Sequence, residues 1–111
     1  MASMRSSEIA IPGGRLRARM ESSRASAELR QRLFASWVAE NRLAEHRARG
    51  DWLPLGIGRG TQSQGGIDFA WREEVIATPH PAFRRVDVFV SALPEPRELA
   101  HLTGFVVLPA K

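Results

Sequence analysis

Apolar and polar positions repeat with two different periods along this chain, and the change falls near residue 50. Residues 22–49 contain no Gly or Pro and are rich in Ala, Leu, Arg and Glu, which lose little freedom in a helix. Wound at 100° per residue, Leu29, Leu33, Phe34, Trp37, Val38, Ala44 and Ala48 gather within half a turn, while Arg32, Arg42, Arg47 and Arg49 fall mostly opposite. The pattern predicts one amphipathic helix over about residues 23–49, with a start as early as Arg15 compatible with it. Gly50 supplies the stop, and Arg47 and Arg49 complement the negative end of the helix dipole.

Beyond Asp51-Trp52-Leu53-Pro54 the period becomes two. Ile67, Phe69, Trp71, Val75 and Ala77 share one side of a predicted strand. Val86, Val88 and Val90 alternate with Arg85, Asp87 and Phe89 in a second, between Pro79-His80-Pro81 and Pro94-Glu95-Pro96. A last strand covers about residues 99–108, and Gly65-Gly66 reads as a tight turn back to a strand near residues 57–63. Parallel neighbours would need crossovers of a dozen or more residues, so short connections make this an antiparallel meander. Its apolar face needs a cover, which only the helix stripe can supply. The expected fold is therefore α+β: a long N-terminal α-helix packed on a small antiparallel sheet spanning about residues 55–108. Residues 23–111 form a single domain, and residues 1–22, with the breaker cluster Pro12-Gly13-Gly14, read as a tail that is flexible or foreign to the domain.

Composition narrows the chemistry. The 111 residues are 43% hydrophobic and 25% charged, as folded globular domains are. The net charge of +4 raises nucleic acid as a partner. The excess, however, is confined to residues 1–50, where ten Arg face five Glu; from residue 51 on, six bases face seven acids. A nucleic-acid-binding module using Arg15, Arg17, Arg19 and Arg24 is the alternative reading, and no nucleic acid is the favoured one. The absence of cysteine removes disulfides, thiol catalysis and thiolate metal sites. Every uncharged apolar run is far shorter than the roughly 20 residues a membrane helix needs, so the chain is expected to be soluble. Its first twenty residues lack the apolar core of a secretory signal.

No catalytic, cofactor or metal residues are assigned. His46, His80 and His101 are widely spaced and form no paired-ligand pattern. Gly56, Gly58 and Gly60 lack the lysine and the helix start of a phosphate loop. Glu73 and Glu74 point to opposite faces of a strand, which defeats a two-carboxylate mechanism. Trp37, Trp71 and Phe69 stand at periodic positions that favour packing over base stacking. Asn41 interrupts the apolar stripe, either to clamp backbone of the following loop or sheet or to meet a partner helix.

The segment Ser36-Trp37-Val38-Ala39-Glu40-Asn41-Arg42-Leu43-Ala44-Glu45 resembles the helix signature of I-type minor pseudopilins of bacterial type II secretion systems, with His46 in place of its final leucine. The likeness continues through Trp52, Gly65-Gly66, Trp71, Ala77-Thr78-Pro79, Arg84-Arg85-Val86-Asp87-Val88 and Leu102-Thr103-Gly104-Phe105, about residues 26–108 in all. Residues before about Ser23 do not resemble the family, whose members begin with a prepilin leader and a membrane helix, so the chain is expected to lack its anchor. The resemblance implies a periplasmic domain, held at the inner membrane by that anchor, that joins J-type and K-type minor pseudopilins at the pseudopilus tip. Other pseudopilins, exported cargo and the outer-membrane secretin are further contacts it implies. It also implies a pilin-like helix that packs its C-terminal half on its own sheet and offers its N-terminal half to neighbours. On that pattern Trp37, Asn41 and Leu43, with Trp71 and Phe105, belong to the core, and Leu29, Arg30, Leu33 and Phe34 meet a partner.

Overall fold

A computed structural model describes the backbone of residues 12–94 and 96–110, and side chains from residue 23 on. Helix α1 spans Pro12–Arg49. It begins well before the expected residue 23: proline at a first helical position gives up no hydrogen bond and has its φ preset, and the roughly 1 kcal/mol that each of Gly13 and Gly14 costs is small beside the long helix-forming run that follows. The part of the expected tail from residue 12 on is thus helical; residues 1–11 lie outside the described ones. By contacts the chain divides into two compact units, Met1–Arg30 and Gln31–Lys111. In the first, the described side chains, residues 23–30, are all exposed.

In the second unit α1 ends as the sequence leads one to expect. Gly50 takes φ 67, its N–H donates to Arg47 O (3.2 Å), and Asp51 N–H donates to His46 O (2.9 Å). These two bonds satisfy carbonyls that a helix end otherwise leaves orphaned. Four strands follow, β1 (Gly56–Gln64), β2 (Ile67–Ala77), β3 (Phe83–Ala92) and β4 (Arg97–Val107), in sheet order β1-β2-β3-β4. Every neighbouring pair is antiparallel. Gly65 and Gly66, at φ 62 and 79, form the two-residue turn whose twist suits a hairpin.

The register places Phe69, Trp71, Glu73 and Val75 of β2 on the face shared with Val86, Val88 and Val90 of β3. Against that face α1 lays Ala35, Val38, Ala39 and Leu43, and these side chains with Leu99 and Val106 form the buried core. Three residues expected in that core are not there. Trp37 is 50% exposed, Phe105 is 49% exposed and Asn41 is exposed. The cause is a rotation of the helix: Ala35, Val38, Ala39 and Leu43 face the sheet, which turns the positions of Trp37, Asn41 and Ala44 outward. On β4 strict alternation decides. Leu43 fills the space where a Cβ on Gly104 would lie, so Gly104 must face inward and its neighbour Phe105 outward.

Candidate assembly surface

Two stripes run along α1 within the second unit. The buried one steps through Ala35, Val38, Ala39, Leu43 and His46. The exposed one steps through Leu33, Trp37, Asn41, Ala44 and Ala48, at the three- and four-residue spacings that share a face. Leu33 is 52% and Trp37 50% exposed, so these two large apolar side chains keep about half of their surface in solvent. Leu29, in the first unit, is 59% exposed.

At the C-terminal end of the buried stripe the core turns polar. Arg42 Nε donates to Glu73 Oε2 at 2.7 Å, and its guanidinium lies 3.8 Å from the centre of the Trp71 ring. His46 Nε2 is 3.0 Å from Glu73 Oε1, and its Nδ1 is 2.9 Å from Asp51 Oδ2. Glu73 and His46 are buried, so the Glu73 carboxylate is stabilised by Arg42 rather than by water. The hydrogen bond from His46, ahead of the Arg49 contacts, holds the Asp51 carboxyl below the usual carboxylate range. Trp71 lies flat on β1, where a Cβ on Gly60 would overlap its ring.

The other face of the sheet presents a paired polar band and an apolar end. Asp87 accepts from Thr103 Oγ1, from His101 Nε2 at 3.1 Å and from Arg85. Burial pushes the Asp87 carboxyl up, but these three bonds together outweigh it and leave the group below its ordinary range. Phe89 carries the Arg72 guanidinium at 4.2 Å and the His101 ring at 4.3 Å. Beyond this band Ile76, Phe83, Phe105 and Val107 are exposed, with Phe83 opposite Val107 and Arg85 standing between Ile76 and Phe105.

Residues 29–107 match the family of type II secretion system (T2SS) protein I. The chain is also 34% identical over 94 residues to the type II secretion system protein I of Pseudomonas aeruginosa, an alignment covering 73% of this chain and 69% of that protein. This chain belongs to the T2SS protein I family.

Within this T2SS protein I the residues singled out from sequence scatter over distinct places. Leu29 and Arg30 belong to the first unit and are exposed. Leu33 is exposed in the second, whereas Phe34 is half-buried. Phe34 packs beside the core, forms a tilted pair with Trp37 at 5.6 Å and fills the space above Gly65. It thus acts as a lid on its own hairpin turn while remaining only half-buried. Leu43 is buried and Trp71 half-buried. Sequence reasoning missed the cluster of Arg42, His46, Asp51 and Glu73. Its one visible signal was a glutamate in phase with Phe69, Trp71 and Val75.

Proposed function

We propose that this T2SS protein I is a minor pseudopilin that binds a J-type and a K-type minor pseudopilin to form the pseudopilus tip, and so supports protein export across the outer membrane. In this reading it is the periplasmic domain of a protein anchored in the inner membrane. The observation that carries the proposal is the exposed stripe of Leu33, Trp37, Asn41, Ala44 and Ala48, because large apolar side chains grouped on one solvent-facing helix side mark interaction surfaces. The exposed apolar end of the sheet lies on the face away from the core. It offers a second surface, as a subunit placed between two partners requires.

Among the described residues no helix is long and apolar enough to cross a membrane. Assembly is tested by co-purification with a J-type pseudopilin. Leu33→Glu, alone and with Leu29→Glu, is expected to abolish capture while leaving the circular dichroism spectrum unchanged. Undiminished capture by the double variant refutes the helix interface.

A further inference from the structure

His46 stands where helix, loop and sheet meet, and its two ring nitrogens face two different carboxylates. Nδ1 is 2.9 Å from Asp51 Oδ2 and Nε2 is 3.0 Å from Glu73 Oε1. A neutral imidazole has one N–H and one lone pair, so only the doubly protonated ring donates to both. A third group is within reach of the same atom: Arg42 Nη2 lies 3.3 Å from His46 Nε2 while Arg42 Nε donates to Glu73 Oε2. A lone pair on Nε2 therefore has a donor beside it.

We propose that His46 is a proton-operated tie between helix and sheet. With both nitrogens protonated it joins α1 to the following loop through Asp51 and to β2 through Glu73. When the Nε2 proton passes to solvent, Nε2 accepts from Arg42 Nη2, and the tie to Glu73 is exchanged for a bond inside the helix. The Nδ1–H bond to Asp51 survives in both states. The helix end is then held to Glu73 by Arg42 alone.

The surrounding charges fit the protonated state. From its own helix His46 faces Arg42, itself paired with Glu45, and Arg49, paired with Asp51. From the loop it faces Asp51 and from β2 Glu73. The inward sheet neighbours of Glu73, Gly58 and Val88, carry no charge, and Arg47 reaches over Gly104 of β4. Within the ion-pair network itself, which Arg47 does not join, a cationic His46 makes three cations, Arg42, His46 and Arg49, to three anions, Glu45, Asp51 and Glu73. The C-terminal end of a helix also favours a cation.

The test follows the ring nitrogens of the whole chain by long-range proton–nitrogen correlation from about pH 5 to 8, the span in which histidines titrate. The amide exchange of Gly50 and Asp51 is followed with it, corrected for the intrinsic effect of pH. The expected result is two protonated His46 nitrogens at the acid end and a single proton on Nδ1 at the alkaline end. Protection of the two amides is expected to fall by roughly tenfold, as loss of one hydrogen bond to a charged group implies. In Glu73→Gln, where the bond loses its charged acceptor, the fall in protection is expected to be smaller, and in His46→Leu, should it fold, protection is expected to stay constant with pH. One protonation state throughout, a proton left on Nε2 at the alkaline end, or the same loss of protection in either variant overturns the proposal.

Discussion

The two stripes of α1 differ in a way that reverses the usual expectation. The stripe against the sheet is built from Ala35, Val38, Ala39, Leu43 and His46, whereas Leu33 and Trp37 stand on the side facing solvent. On the sheet side Leu43 reaches the surface of Gly104. The two sides thus divide the roles on this helix: one is covered by the sheet, and on the other Leu33 and Trp37 keep about half of their surface exposed and free to be buried by a partner.

That contrast is broken most severely through the polar end of the buried stripe. Glu73→Ala is expected to destabilise the domain by about 3–5 kcal/mol, since it leaves Arg42 and His46 without their buried partner. Urea denaturation measures it. Leu43→Ala ranks next, at about 2–4 kcal/mol for a cavity beneath Gly104. Leu33→Ala is expected to change stability by less than about 0.5 kcal/mol, as exposed positions do, yet to weaken capture of a J-type partner. A large stability loss in Leu33→Ala, or none in Leu43→Ala, would erase the distinction between the stripes.

The smallest effect is that of acid. Asp51 and Asp87 are both held below their ordinary range, Asp51 chiefly by its bond from His46 and Asp87 by Thr103, His101 and Arg85 against the opposing effect of burial. A carboxyl depressed in the folded state adds stability that is fully present above the unfolded value of about 3.9 and is lost as pH falls through the folded one. Denaturation midpoints should therefore drop below about pH 4. Asp87→Asn should flatten part of that decline.

The fold was legible because its two periods are clean and its breakers are well placed. Gly50 and Gly65-Gly66 mark the helix stop and the first hairpin, and Val86, Val88 and Val90 point inward as their alternation requires. The rotation of the helix was not legible, because a hydrophobic wheel weights Trp37 and Leu33 above Ala35 and Ala39, and only the depth of the sheet surface decides which set fits. Phe105 was misplaced for a related reason: nothing in the sequence says that Leu43 requires Gly104 to be the inward residue. The partner of His46 was hidden at a separation of 27 residues, with Glu73 visible only as a charge in an apolar phase.

The most direct measurement is amide chemical-shift mapping of α1 in this chain as a J-type minor pseudopilin is added. Perturbations are expected to concentrate at Leu33, Trp37, Asn41 and Ala44 while Ala35, Ala39 and Leu43 stay nearly unmoved. Equal shifts on both sides of the helix, or shifts confined to the sheet, would contradict an outward stripe made for assembly.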